Sequence, residues 1–370
     1  MNKDLQNIEL GEVVKLRNGK SIPKSEGKYS AFGGNGIVGY VNSYNSDEDT
    51  IVIGRVGANC GNVNFSGEKC WVTDNAIAVK VNSSNDPKYI YYALINEDLQ
   101  RYKGGSAQPL LTQSIISKLQ LSLPTKDKQK EISNQIDSFK EKIELNYKLI
   151  CNLEEYSQLL FHKWFVDFNF PDVNGSPYKD SGGNMIEVEG EMIPEGWDYS
   201  TIGENSFNYD RKRIPLSNSE RQKRKGKYPY YGATEIMDYV DDYIFDGLYC
   251  LIAEDGSVID ENNNPIMQLA WGKFWVNNHA HVLQGKGDIS TEFLFLTLKR
   301  TNVSNVVTGA IQKKINQTNL NRIRMILPSK EVLKEFNKIV HLLFHKIIAL
   351  SKENQLLTET RDLLIKKLIK

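Results

Sequence analysis

Apolar positions recur in alternating steps of four and three along two stretches of this chain. In the first, Ile132, Ile136, Phe139, Ile143, Asn146, Ile150, Leu153, Ser157, Leu160 and Trp164 fall on one line. In the second, Phe336, Val340, Leu343, Ile347, Leu350, Asn354, Leu357, Arg361, Leu364 and Leu368 do the same. That spacing predicts long helices with narrow heptad seams, and a narrow seam calls for another seam as its partner. The two are equally long, so each is the obvious mate of the other. In an antiparallel pairing Ile132 faces Leu368, Ile143 faces Leu357, Ile150 faces Leu350 and Leu153 faces Ile347. Asn146 then meets Asn354, and a facing pair of amides fixes register because a buried amide needs a polar mate. Phe139 opposite Arg361 and Ser157 opposite Leu343 are the weak layers.

Elsewhere the period is two. Thr50–Gly54 and Ala76–Val81 are β-rich runs bounded by Gly, Asn, Ser and Asp, and a helix is predicted over Pro87–Tyr102. Leu248–Ala253 reads as a strand, Asp255-Gly256 as a turn, and Ser290–Lys299 as a helix capped by Ser290. These repeat one plan. Residues 27–44 lie on 226–243 without a gap, eight of eighteen positions being identical. After an insertion of five residues the match resumes: Trp71-Val72 on Trp275-Val276, Gln108 on Gln312, Gln113 on Gln317, Leu123-Pro124 on Leu327-Pro328. The chain is a duplicated α+β head followed each time by a long helix, with a Gly-, Pro- and Asp-rich connector between the halves. Helices of about 33 residues are on the order of 50 Å long. Paired antiparallel, they place two non-identical heads about a pseudo-two-fold axis, able to reach two short segments about one turn of B-DNA or more apart.

Length and composition fit two ordinary globular domains: 370 residues, 40% hydrophobic and 25% charged. Net charge is zero, which taken alone argues against a polyanion partner, so the placement of charge decides. Asp210–Tyr228 carries Arg211, Lys212, Arg213, Arg221, Lys223, Arg224, Lys225 and Lys227 against two acids, followed by Tyr230 and Tyr231. Residues 308–324 add Lys313, Lys314, Arg322 and Arg324 with no acid. Such groups release counterions on binding phosphate, and Gln, Asn and Arg read base edges. The first head is poorer in basic groups. The four cysteines have no metal spacing, and no signal-like or membrane-length apolar run is present, which predicts a cytoplasmic protein.

Other motifs are weaker. Gly34–Gly39 fits G-x-G-x-x-G, but strand and turn follow it where a dinucleotide site needs a helix. His341 and His345 are spaced for a metal but lack the glutamate of a zinc protease, and His279 and His281 have no carboxylate spaced to orient them. No nuclease or amino-methylation motif is found. The expectation is a protein without catalytic residues, bound metal or cofactor of its own.

Phe161–Phe168, Gly175–Gly183, Ile193-Pro194-Glu195-Gly196-Trp197, Tyr228–Ala233, Asp238–Tyr243 and Glu254–Ser257 together resemble the DNA-specificity subunit of type I restriction-modification enzymes, over nearly the whole chain. The resemblance implies a target recognition domain over 1–126, a central spacer helix over 127–168, a linker over 169–198, a second target recognition domain over 199–329 and a C-terminal spacer helix over 330–370. The two helices would form an antiparallel coiled-coil spacer, and the two domains would read a bipartite, asymmetric site in double-stranded DNA. It implies two modification subunits as partners, which bind S-adenosylmethionine and methylate adenine, and motor-nuclease restriction subunits. DNA contacts are expected from Lys223, Arg224, Lys225, Lys227, Tyr231, Gly232, Gln312, Lys313 and Lys314. Lys28, Gly33, Gly34, Arg55 and Gln108 are their counterparts in the first head. The competing readings are a coiled-coil scaffold presenting two protein-binding heads and a self-contained restriction enzyme.

Overall fold

A computed structural model describes residues 5–104, 110–309 and 312–369. The chain forms two compact units, Met1–Asn146 with Glu353–Lys370, and Tyr147–Lys352. Two long helices, a central one over Lys126–Phe165 and a C-terminal one over Lys330–Leu368, contribute to both.

In the first unit an antiparallel sheet runs in the order Val14–Asn18, Ala76–Val81, Thr50–Gly54, Val63–Ser66. The Thr50–Gly54 strand is buried along its length, as its unbroken apolar run requires. A smaller sheet joins Gly36–Val41, Tyr29–Gly33 and Trp71–Val72, the last two parallel. The segment predicted as one helix over Pro87–Tyr102 divides: an α-helix ends at Asn96, Asp98 takes a left-handed conformation, and a 3-10 turn follows over Leu99–Tyr102. Asp86 caps the α-helix by accepting from the Tyr89 amide, and Pro87 occupies the first turn, where its missing N–H costs nothing. Ile132 and Ile136 of the central helix share the core with Ile365 and Ile369 at the end of the C-terminal helix. Asn146 meets Asn354 farther along, so the helices run antiparallel here.

The second unit is built on one six-stranded sheet, in the order Ser206–Asn208, Ala280–Gly285, Phe245–Ala253, Met267–Val276, Lys225–Tyr231, Ile236–Val240. Ser290 caps the Thr291–Leu298 helix through the Phe293 amide. Phe336 of the C-terminal helix is fully buried, its ring 5.5 Å from Trp164 and 4.7 Å from Phe165 of the central helix. The connector is more structured than its composition predicts. Met185–Val188 and Glu191–Pro194 form a hairpin whose two turn residues, Glu189 and Gly190, both have positive φ, as the tight turn matching strand twist demands. Phe170 stacks on Tyr178 at 4.6 Å and on Trp197 at 5.0 Å, so the apolar residues of this stretch close the core around Phe165. Among the described residues no helix is long and apolar enough to cross a membrane.

Candidate nucleic-acid interface

The duplication seen in sequence is repeated in hydrogen-bond register. Ala31 pairs with Trp71 and Phe32 with Val72 in parallel; Tyr230 pairs with Trp275 and Tyr231 with Val276 in the same way. These are the residues that the sequence match superposes. The correspondence extends to a loop in each head. Gly104 and Leu110 exchange two backbone hydrogen bonds of 3.0 Å, and Thr308 and Lys314 exchange two of 2.8 Å. The residue after each bridge is tied to the end of a core strand: the Leu111 amide donates to Arg55 O at 2.9 Å, the Ile315 amide to Glu254 O at 2.9 Å. Each head therefore closes a short loop with a main-chain bridge, and in the second the Thr308 hydroxyl also donates to Lys314 O at 3.2 Å. Gln108 lies outside the described residues; Gln312 and Lys313 are exposed on the second loop.

The side chains at the foot of the two loops differ. In the second head His281 is buried, with Nδ1 2.5 Å from Asp210 Oδ2 and Nε2 2.8 Å from Ile315 O. Each ring nitrogen faces an oxygen acceptor, an arrangement that the doubly protonated ring satisfies. Arg213 adds a 2.8 Å bond to Glu254 and lies 3.6 Å from Asp210, and Lys314 reaches Glu254 at 3.1 Å. Burial raises the Asp210 pKa, but the His281 bond and charge, the Val282 amide and Arg213 outweigh it and hold the carboxyl below its usual range. Glu254 is lowered against its own burial by Arg213, His281 and Lys314. Asp210, Glu254 and His281 have ligand atoms within 4.8 Å of one another, yet Arg213 and Lys314 already balance the carboxylates. The trio acts as a strut under the loop.

In the first head Asn18 and Ile77 pair on adjacent strands where Asp210 and His281 stand, and Arg55 takes the place of Glu254. The Arg55 guanidinium is half-buried, and its Nε has no hydrogen-bond partner among the described residues. Gly33 closes the turn of the Tyr29–Val41 hairpin by pairing with Gly36, and Gly34 packs near Gly54, close to Arg55. The G-x-G-x-x-G run thus sits in a hairpin with no helix after it.

The basic run of the second head is partly spent internally. Arg224 pairs with Asp241 at 2.9 Å and lies over Trp275; Lys225 pairs with Asp238 at 2.5 Å; Arg221 approaches Asp238 at 3.5 Å over the ring of Tyr230. Lys314, as above, holds Glu254. Acids outside the run thus neutralise part of what the sequence shows as eight cations against two acids. The hairpin partner strand, Ile236–Val240, and the turn after it bring the acids in. Tyr231 is corrected: it is buried against Phe274, and burial pushes its hydroxyl up to about 12. Gly232 is buried in a tight turn, its amide donating to Glu235 O. Arg211, Lys212, Lys223, Lys227 and Lys313 stay exposed, as does Lys28 in the first head. The expectation that His279 and His281 lack orienting carboxylates is overturned, His279 lying 2.8 Å from Asp255. A sheet brings these partners together across 71 and 24 residues, beyond any local motif.

Comparison with known proteins agrees with this architecture. The model of the type I restriction modification DNA specificity domain matches residues 2–155 and again 194–359, most of the chain. A putative type I restriction enzyme specificity subunit of Haemophilus influenzae is 40% identical over 128 residues, 35% of this chain and 32% of that protein. The MjaIX specificity subunit of Methanocaldococcus jannaschii is 23% identical over 300 residues, covering 76% of this chain and 68% of its own length. The crystal structure of a type I restriction-modification S subunit from M. genitalium has the same fold, with a TM-score of 0.66 at 20% identity, covering 100% of this chain and 97% of that one. With its specificity domain present twice, the chain belongs to the type I restriction-modification DNA specificity family.

Proposed function

We propose that the two heads read two different short segments of one duplex, separated by unread DNA, with the antiparallel helices as the spacer. Membership of the family makes the chain a DNA-recognition subunit, not an enzyme. The bipartite reading goes further, and one observation carries it. The two heads share a main-chain scaffold, down to the bridge that closes each loop, while the side chains at the loop foot are exchanged: Arg55 for Glu254, Ile77 for His281, Leu110 for Lys314. A common scaffold with different side chains suits two readers of different words.

In this reading Gln312 and Lys313 approach base edges or backbone from the second loop, and Lys223 and Lys227 hold phosphates. Arg55, whose Nε is unpartnered among the described residues, supplies donors in the first head. Two modification subunits would supply S-adenosylmethionine and flip the target adenine, and restriction subunits would join the same cytoplasmic complex. The test is selection from a randomised duplex library by the full chain assembled with modification subunits. Two conserved words at a fixed separation are expected; a single uninterrupted word, or no enrichment, overturns the proposal.

A further inference from the structure

One side-chain cluster is the same in both heads. In the first, Tyr29 and Tyr44 lie with ring centroids 5.2 Å apart, Lys28 Nζ is 5.2 Å from the Tyr29 ring, and Lys69 Nζ is 4.8 Å from the Tyr44 ring. In the second, Tyr228 and Tyr243 are 5.1 Å apart, Lys227 is 5.3 Å from Tyr228, and Lys273 is 4.4 Å from Tyr243. Each residue of one ladder is the duplicate of a residue in the other. Register explains why they meet. The parallel pairs Ala31–Trp71 and Tyr230–Trp275 bring the segment that carries Tyr29 next to the one that carries Lys69, and the segment of Tyr228 next to that of Lys273.

The contrast with the loop foot is the informative part. There the duplicated positions carry different side chains; here all four are kept. Residues that read different words must differ, whereas a group common to both heads answers to something common to both half-sites. We propose that each ladder is a phosphate grip, its two lysines and its tyrosine hydroxyls holding DNA backbone beside the segment which that head reads, whatever its sequence. The inference rests on the two-word reading above and names the part of it that is independent of sequence.

The chemistry fits an anion. Lys28 and Lys227 are exposed and make no ion pair among the described residues. The pKa of Lys69 is raised first by its hydrogen bond to Tyr44, and that of Lys273 by its bond to Tyr243, so both stay charged; Asp47 and Glu48, and Asp246, add to this from nearby. A tyrosine oxygen that accepts from lysine keeps its own O–H for an outer acceptor. The ladder sits at one end of the parallel strand pair and Gly33 at the other. Four residue steps separate Tyr29 from Gly33, about 13 Å, close to the roughly 12 Å width of a major groove. A head reading bases near Gly33 and Arg55 would thus meet backbone at the ladder.

The test uses the full chain assembled with modification subunits, and compares wild type with Lys28→Gln/Lys69→Gln and with Lys227→Gln/Lys273→Gln. Dissociation constants are measured for a cognate and a scrambled duplex between about 50 and 200 mM salt. Each pair is expected to weaken both duplexes by the same factor, about tenfold at low salt, and to flatten the log–log salt slope by about two. Tyr44→Phe and Tyr243→Phe, which keep the ring and remove the donor, should weaken both duplexes equally but less. A changed cognate-to-scrambled ratio with an unchanged slope would assign the ladder to base reading and overturn the grip. Unchanged DNA affinity with weakened capture of modification subunits would assign it to a protein contact and overturn it equally. Wild type that shows no cognate preference at any salt would instead sink the two-word reading, a distinguishable result.

Discussion

The Asn146 side-chain amide donates to Asn354 Oδ1 at 2.9 Å, and both residues are buried between the antiparallel helices. A second bond from the same Nδ2 reaches Glu353 at 2.9 Å, and Asn354 Nδ2 donates to Ile143 O at 3.3 Å. Replacing one member strands the other. Asn146→Leu is expected to cost about 1–3 kcal/mol in urea denaturation, because Asn354 loses a mate it cannot replace with water. The double change to leucine should recover most of that loss, and a double-mutant cycle should give a coupling of the same sign. Additive single losses would show that the pair does not set the helix register.

Phe336 carries the equivalent load in the second unit. Its ring meets Phe161, Trp164, Phe165 and Phe293, and no part of it is exposed. Phe336→Ala should lose about 3–5 kcal/mol through transfer and cavity terms together. Phe336→Leu, which refills part of the space, should lose less, and the order of the two midpoints in urea checks the assignment.

Acid should loosen the loop foot of the second head. Asp210 has a folded-state pKa below its unfolded one, so its contribution is complete above the unfolded value, near 4, and is lost as pH falls through the folded value. Asp210→Asn should therefore destabilise by about 3 kcal/mol at pH 7. The gap from wild type should close as pH drops below about 4, in thermal or urea melts. A gap independent of pH would mean that the carboxylate charge is not what His281 uses.

Gly309 has φ +89, and a Cβ there would lie 2.1 Å from the carbonyl oxygen of Gln312. Gly309→Ala must therefore move the loop. Since the Thr308–Lys314 bridge and the sheet beneath are main-chain structure, stability should change by less than about 1 kcal/mol while recognition by the second head weakens. Footprinting that shows loss of one half-site, with the other retained, is the expected outcome.

Much of this was legible from spacing. The heptad seams placed Asn146 opposite Asn354, and the sequence match between the halves named the residues that share strand register. What stayed hidden depends on sheet order. Asp238 and Asp241 neutralise Lys225 and Arg224 only because the chain reverses between them, and Asp210 meets His281 only because Ser206–Asn208 pairs with Ala280–Gly285. Tyr231 looked like a surface aromatic beside lysines, yet its strand alternation points it inward to Phe274. A local run of charge states how many cations are present; only the strand partners decide which remain free.

The loops are latched by amide and carbonyl groups, which every residue except proline provides in full. In the second loop the exposed Gln312 and Lys313 side chains take no part in that latch, which uses the main chain, the Thr308 hydroxyl and the backbone freedom of Gly309. Mutation can rewrite what such a loop says while the frame that displays it stays intact, so new target words would arise in this lineage without the chain having to invent a new fold.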